Sequence, residues 1–170
     1  MNYFSGFSLQ GEQELFGAYL TKQAGVVAGF SYGAQQALAY ALKSTKRIER
    51  LVLLSPAFFQ TQKPSFKRAQ LRYFDTGKEA YVSQFLRNVA YPSKVDLTPY
   101  VKVGTREALD ALLHYEWDAQ HLRTLQKRGV CIEVFLGGKD KIIDADAAYD
   151  FFAPLATTYF IKEAGHLLAL

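Results

Sequence analysis

A short apolar run passes directly into a helical pattern near the start of the chain. Residues 25–30, GVVAGF, are as apolar as a strand buried on both faces. The apolar residues that follow recur at the spacing of one helix face: Ala34, Ala37, Leu38, Ala41 and Leu42. Only the turn Gly29-Phe30-Ser31-Tyr32-Gly33 separates the two patterns. A strand that turns so sharply into a helix favours a parallel sheet with crossover helices, the α/β class.

Other segments repeat this alternation. Four more runs have strand character: the aromatic start NYFSGF, RLVLLSPA, VCIEVFLGG and TTYFIKEAG. Helical patterns are predicted in LQGEQELFGAYL and in DADAAYDFFAPL, which Pro154 ends. In residues 58–127, apolar and basic residues mix at helical spacing between turns, without a strand. We therefore predict about five mostly parallel strands from residues 1–57 and 128–170, with a helical lid, residues 58–127, inserted after the third strand.

Composition and charge narrow the functional classes. The 170 residues suffice for one core, and the single cysteine, Cys131, excludes a disulfide framework or a thiolate metal cluster. No metal-ligand spacing is seen, so neither metal nor cofactor is expected. The start lacks signal-peptide features and no apolar run reaches about 18 residues, so a cytoplasmic location without membrane association is expected. Residues 58–127 hold eleven Lys/Arg and seven Asp/Glu, the whole net charge of +4; this excess is too sparse for nucleic-acid binding.

Ser31 is the candidate nucleophile. A serine hydroxyl needs exposure and a base within hydrogen-bond reach, and a sharp strand-to-helix turn between glycines supplies the exposure. The alternative is a structural serine in a tight turn. His166 is the candidate base because it follows the last predicted strand, whereas His114 and His121 lie in the insertion, where surface or capping roles are expected.

The third member of the site is expected after the fourth strand. Asp140 follows FLGGK there and would orient His166. Asp144 competes with it, but its position at the start of the next helix is typical of an N-cap. Two backbone N–H groups, of Tyr32 and Phe7, are predicted to form an oxyanion hole, with Ser8 as the alternate for Phe7. The alternative reading of residues 5–7 is an ordinary strand-to-helix turn.

Five stretches carry a family resemblance: SGFSLQGEQELF, GFSYG, LSPAFF, FLGGKD and AGH. Together they resemble the α/β-hydrolase superfamily over the whole chain, and the order Ser31, Asp140, His166 is the order of that fold. More narrowly, FSGF and SPAFF resemble the compact pimeloyl-[acyl-carrier protein] methyl ester esterases of the BioV group. The chain departs from larger relatives at Ser5, where they carry a histidine.

This resemblance implies a substrate and a partner. The substrate would be the methyl ester of a pimeloyl chain bound to acyl carrier protein, hydrolysed to methanol and the free carboxylate during biotin biosynthesis. The residues expected to line an apolar channel are Phe30, Phe66, Tyr73 and Phe74, with Tyr81 and Phe85 beside them. The alternative is that the aromatic residues of the insertion form its own core. Lys67, Arg68 and Arg72 are expected to contact the acidic carrier, and the alternative is that they form an ordinary solvated helix face. The alternatives are a general short-chain carboxylesterase or thioesterase, and a hydrolase-like binding module without turnover.

The central strands also lead to an expectation about assembly. They are apolar throughout, as if both faces of the sheet were covered. Sequential strands joined by right-handed crossovers would place every helix on one face. We therefore expect another element to cover the other face, most simply the second subunit of a homodimer.

Overall fold

The computed structural model describes residues 1–170 and contains one sheet of five parallel strands, in the order β1-β2-β3-β4-β5. The strands are β1 Asn2–Phe4, β2 Val26–Phe30, β3 Arg50–Leu54, β4 Cys131–Gly137 and β5 Thr157–Ile161. The predicted α/β class with five parallel strands is confirmed. Because all strands run in the same direction, the loops that follow them meet at one edge of the sheet.

Six α-helices accompany the strands. They are α1 Tyr32–Lys43, α2 Pro64–Thr76, α3 Lys78–Ala90, α4 Arg106–His114, α5 Ala119–Lys127 and α6 Ala145–Phe152. The insertion between β3 and β4 holds α2 to α5, and its strand-like feature is a single-residue bridge between Val101 and Leu9. Its last helix, α5, packs against α1 and β4, so the end of the insertion lies on the sheet.

The helix predicted within residues 9–20 is much shorter than expected. It is a 3-10 helix, Glu12–Phe16, preceded by Gly11 in the left-handed region (φ 80°) and followed by Gly17. Glycine at both ends disfavours a longer helix, because glycine loses the most backbone freedom when it becomes helical.

The two faces of the sheet are covered by different parts of the chain. Helix α1 packs over the face on which Gly29 lies, and α6 lies on the same face, where Tyr149 meets Phe160. Phe30 points to the opposite face because side chains alternate along a strand. There it packs against Phe16 of the 3-10 helix, with ring centroids 4.8 Å apart.

We expected every connection between strands to cross the same face of the sheet. This expectation is wrong for the connection between β1 and β2. The β1-to-β2 and β2-to-β3 connections step across the sheet in the same direction but over opposite faces, so they have opposite hands. Phe16 and Tyr19 from the first connection cover part of the face that was expected to need a second subunit, with Tyr19 against Phe135 at 4.9 Å. At the edge of this face, on β5, Tyr159 remains 44% exposed. The homodimer remains a prediction.

One continuous core joins the sheet to the insertion. A single cluster of 41 buried apolar residues includes Leu53 of β3, Leu109 and Leu113 of α4, and Phe74 of α2. The insertion is thus packed on the same core that holds the strands. None of the helices has the length and the apolar character needed to cross a membrane.

Candidate active site

Ser31 lies in a strained turn between β2 and α1. Its backbone has φ 54° and ψ −114°, a conformation that L-residues rarely adopt. The flanking glycines leave no space for side chains: a Cβ would lie 2.1 Å from the Gly33 oxygen at Gly29, and 2.0 Å from the Phe4 oxygen at Gly33. The Ser31 N–H donates to the Leu54 carbonyl at 2.9 Å, which ties the turn to β3.

The structure brings Ser31, His166 and Asp140 into one hydrogen-bonded chain. The Ser31 Oγ lies 2.9 Å from His166 Nε2, and His166 Nδ1 lies 2.6 Å from Asp140 Oδ2. When Nδ1–H donates to the carboxylate, Nε2 is left to accept the serine proton. Ser31 is 3% exposed and His166 is fully buried. The three side chains come from different strand ends, which the parallel sheet places at one edge.

A second set of contacts fixes Asp140. Its other oxygen, Oδ1, accepts hydrogen bonds from the N–H groups of Ile142 (2.6 Å) and Ile143 (3.0 Å). Asp144, the competing acid, instead caps α6 by accepting from the Ala147 N–H at 3.0 Å, as expected of an N-cap. The carboxylate of Asp140 is thus aimed at His166 by backbone groups of its own loop.

The other two histidines lie in the insertion. His114 ends α4, where its Nδ1 lies 3.0 Å from Asp110, and His121 lies on α5. Both are exposed. No group of three or more His, Cys, Asp or Glu side chains is assembled that would hold a metal ion.

The predicted oxyanion donors Phe7 and Tyr32 belong to the loop after β1 and to the first turn of α1. Residues 6–9 form a turn closed by the Leu9 N–H, which donates to the Gly6 carbonyl at 3.1 Å. The N–H groups of Phe7 and Ser8, in the middle of this 6–9 turn, make no hydrogen bond. Tyr32 is the first residue of α1, and the first N–H groups of a helix have no partner within it. The loop runs against the Ser31 turn, because a Cβ at Gly33 would lie 2.0 Å from the Phe4 carbonyl oxygen and 2.6 Å from that of Ser5.

The insertion holds the other side of the 6–9 turn. Ser8 accepts the Lys102 N–H on its carbonyl (3.0 Å) and the Gly104 N–H on its hydroxyl (2.9 Å). The Phe7 ring packs between Phe74 and Phe85, at centroid distances of 6.2 and 5.5 Å. Sequence reasoning missed this attachment, because nothing in the local pattern links residue 8 with residues far along the chain.

A cavity of about 510 Å³ lies between α2, α3, α4 and the loop after β4. Phe66 and Tyr73, two of the predicted channel residues, line it together with Tyr81 and Phe85. Polar groups are few and are supplied by Gln70, Gln84, Asn88, Thr76 and Lys141. A largely apolar cavity with scattered polar groups is typical of a small-molecule site.

Two predicted channel residues, Phe30 and Phe74, do not line this cavity. Phe30 is fully buried on the sheet face away from α1, with its ring 5.1 Å from the ring of His166. Strand alternation turns it to that face. Phe74 is 3% exposed and belongs to the core of the insertion, between Phe7 and Tyr81.

The cavity and the nucleophile are separated in this conformation. The lining reaches Lys141 and Ile142, directly after Asp140, but does not include Ser31. Ser31 is 3% exposed, so little of its surface reaches solvent in this conformation.

Two features set the charge around the cavity: the buried phenol of Tyr81 and the basic helix α2. Burial raises the pKa of Tyr81 to about 12, and its hydroxyl donates to Gln70 Oε1 at 2.8 Å. On α2, Arg68 and Arg72 are exposed and Lys67 is half-buried. None of these three cations forms an ion pair.

Comparison with known proteins identifies the class. Residues 7–170 match the Alpha/beta hydrolase family, and the chain belongs to that family. No curated protein is significantly similar to it in sequence.

Solved structures with the same fold include three of interest. Carboxylesterase CesB (YbfK) from Bacillus subtilis has a TM-score of 0.55 and 22% identity, over 92% of this chain and 57% of that chain. Esterase EaEST from Exiguobacterium antarcticum has a TM-score of 0.61 and 17% identity, over 82% and 58%. BioG from Haemophilus influenzae has a TM-score of 0.60 and 12% identity, over 97% and 87%. This chain therefore spans less than two thirds of the first two proteins but most of BioG.

Proposed function

We propose that this chain is a serine carboxylesterase in which Ser31 is the nucleophile, His166 the general base and Asp140 the residue that orients His166. The observation that carries the proposal is the hydrogen-bonded chain from Ser31 Oγ through both ring nitrogens of His166 to Asp140. A buried imidazole held in this tautomer increases the reactivity of a serine hydroxyl.

The reaction proceeds in two halves. Ser31 Oγ attacks the ester carbonyl carbon while its proton passes to His166 Nε2, and the carbonyl oxygen gains charge beside the N–H groups of Phe7 and Tyr32. Collapse of this intermediate breaks the carbon–oxygen bond to the alcohol, which takes the proton from His166. Water then attacks the acyl-serine, giving its proton to His166, and the carboxylic acid leaves as Ser31 recovers its proton.

The substrate we favour is a pimeloyl methyl ester carried by acyl carrier protein. Three observations support it: the sequence resemblance to the BioV group, the apolar cavity, and the unpaired cations of α2 beside that cavity. The structural likeness to BioG, a protein of nearly the same extent, adds the fold alone. In this arrangement the methyl ester reaches Ser31 and the carrier stays outside against α2.

Trapping the acyl-enzyme tests the esterase. The purified chain is mixed with methyl pimeloyl-carrier and quenched rapidly, and its mass is compared with that of Ser31→Ala under the same conditions. We expect methanol release and an adduct on the peptide containing Ser31, both absent in the variant. Hydrolysis that survives in Ser31→Ala, with no adduct on the native chain, would refute the serine mechanism.

Charge reversal on α2 tests the carrier. Arg68→Glu combined with Arg72→Glu is expected to raise KM for the carrier-linked ester and to leave hydrolysis of a small ester unchanged, because only the carrier meets this surface. Arg123→Glu with Lys127→Glu makes the same charge change on α5 and is the matched control. Equal losses of activity on the carrier-linked and the small ester, or equal losses in the α2 and α5 double variants, would contradict docking on α2.

A general short-chain esterase is the second candidate. It is favoured by the separation of Ser31 from the cavity, which suits an acyl group too small to need the cavity. The ratio of kcat/KM for the carrier-linked ester to that for p-nitrophenyl acetate separates the two candidates. A ratio well above one supports the carrier substrate, and a ratio well below one supports the short-chain enzyme.

A further inference from the structure

Glu12 is a buried acid without an ionic partner. It lies at the start of the 3-10 helix and is fully buried. Its Oε1 accepts two hydrogen bonds, from the Gly6 N–H at 2.8 Å and from the Tyr3 hydroxyl at 2.9 Å. Its Oε2 has no partner, and no cation lies within ion-pair distance. Burial of such a group is costly, so a core position with no other role would be better filled by an apolar side chain.

The contact to Gly6 places Glu12 at the base of the 6–9 turn. Gly6 is held on both sides: its N–H by Glu12 and its carbonyl by the Leu9 N–H. The next amide, of Phe7, makes no hydrogen bond within the protein. A Cβ at Gly6 would lie 2.8 Å from the Phe30 ring, so this ring also confines the Gly6 peptide.

We propose that Glu12 is a positioning residue for the oxyanion hole: by holding the Gly6 N–H it orients the following peptide, so that the Phe7 N–H points at the carbonyl oxygen of an ester attacked by Ser31. This inference rests on the proposed function. Glu12 does not touch the reacting atoms, and its effect on the reaction passes through the backbone of the 6–9 turn. Ser8, bound to Lys102 and Gly104, holds the far end of the same turn.

Tyr3 provides a matched control on the same oxygen. Burial and the neighbouring Glu12 raise the pKa of Tyr3, so its hydroxyl remains a donor to Oε1 at neutral pH. Tyr3→Phe removes that hydrogen bond and leaves the one from Gly6. A purely structural role for Glu12 predicts similar losses from either change, whereas a positioning role predicts a loss of rate only when the acceptor for Gly6 is removed.

The experiment measures acylation and affinity for a transition-state analogue. Glu12→Met, Glu12→Gln and Tyr3→Phe are compared with the native chain in stopped-flow acylation by p-nitrophenyl acetate and in inhibition by a trifluoromethyl ketone. We expect Glu12→Met to lower the acylation rate and the ketone affinity about 100-fold with little change in KM, as for loss of one oxyanion donor. Glu12→Gln, whose amide oxygen can accept from Gly6, should recover most of the rate, and Tyr3→Phe should stay within about 3-fold.

Other outcomes overturn the inference. Acylation by Glu12→Met at the native rate, or an equal loss in Tyr3→Phe, would refute positioning by Glu12. If thermal melts show that Glu12→Met does not fold, Glu12→Asp, with an acceptor one methylene short of Gly6, must still slow acylation without raising KM. Labelling of Ser31 by a fluorophosphonate keeps the tests separate, because a native chain that is neither labelled nor active refutes the proposed function instead.

Discussion

At the scale of single residues, the site depends on which proton each side chain can give or take. Asp140 is held by two backbone N–H groups on one oxygen and by His166 on the other. The backbone contacts orient the carboxylate, and the carboxylate selects the tautomer of His166. This division allows the two roles of Asp140, structural and electrostatic, to be separated by one substitution.

Asp140→Asn is expected to keep the fold and lose the activity. The amide oxygen can still accept from Ile142 and Ile143, but its NH₂ group then faces Nδ1 and forces the proton onto Nε2, which can no longer accept from Ser31. We expect kcat to fall about 10⁴-fold with a nearly unchanged melting temperature. Asp144→Asn, which preserves an equally good N-cap, is the control. An active Asp140→Asn enzyme would remove Asp140 from the proposed mechanism.

Tyr81 predicts a stability change in alkali. Its pKa is raised by burial to about 12 from an ordinary value of 10.0, so above pH 10 the unfolded chain loses this proton more readily than the folded one. The free energy of unfolding should therefore fall as pH rises from about 10 to about 12, by at most about 1.4 kcal/mol per pH unit from this group.

Urea titrations at several pH values between about 9 and 12 measure how the free energy of unfolding changes with pH. Tyr81→Phe should flatten it, whereas Tyr73→Phe, at a side chain that is 55% exposed, should not. Identical slopes in the native chain and Tyr81→Phe would show that the phenol is not buried in this way.

At the scale of elements, the insertion holds part of the site. The segment between α3 and α4 is tied to Ser8 by the N–H groups of Lys102 and Gly104. Phe7, the proposed oxyanion donor, has its ring among Phe74 and Phe85 of the insertion. Movement of the insertion to admit a substrate would therefore also move the 6–9 turn.

Gly104→Ala tests this connection. A Cβ at Gly104 would lie 2.5 Å from the Phe7 ring, which is 2% exposed and has no free space to enter. The ring and the attached backbone must shift, and we expect kcat to fall about 10-fold or more, since a misplacement of about 1 Å suffices for such a loss. Gly17→Ala, whose Cβ would meet only the Glu14 carbonyl at 3.6 Å, is the control. An unchanged kcat in Gly104→Ala would show that the insertion does not determine the geometry of the oxyanion hole.

At the scale of the whole molecule, the sheet is covered on one face by helices and at the centre of the other face by a short irregular connection. Phe16 is the main side chain of that connection, fully buried between Phe30 and Tyr3. The chain thus covers the centre of its sheet with five residues of 3-10 helix and the loop beyond them, where the sequence led us to expect another subunit.

Phe16→Ala should be strongly destabilising. Truncation of a fully buried phenylalanine lowers the free energy of unfolding by about 3–5 kcal/mol. Phe160→Ala, at a position that is 39% exposed on the edge strand, should cost much less. Urea denaturation of both variants gives the comparison, and a loss below about 1 kcal/mol in Phe16→Ala would show that this connection does not seal the sheet.

The five strand segments, the Ser31 turn and the strand ends that carry Asp140 and His166 were all predictable from the sequence. Each follows from a local sequence pattern: an apolar run, a glycine pair, or a polar residue shortly after a strand. Parallel strands then bring their ends to one edge without further information.

The tertiary structure alone decided which aromatic side chains face the cavity, which face the opening connection crosses, and what holds the 6–9 turn. Phe30 and Phe74 share the composition of a channel wall but point into cores. Glu12 is an acid in a segment predicted to be helical, and it is fully buried against Gly6 and Tyr3. These outcomes depend on contacts between residues distant along the chain, where packing and hydrogen bonding compete with local preference, and a single sequence does not encode that competition in any short stretch.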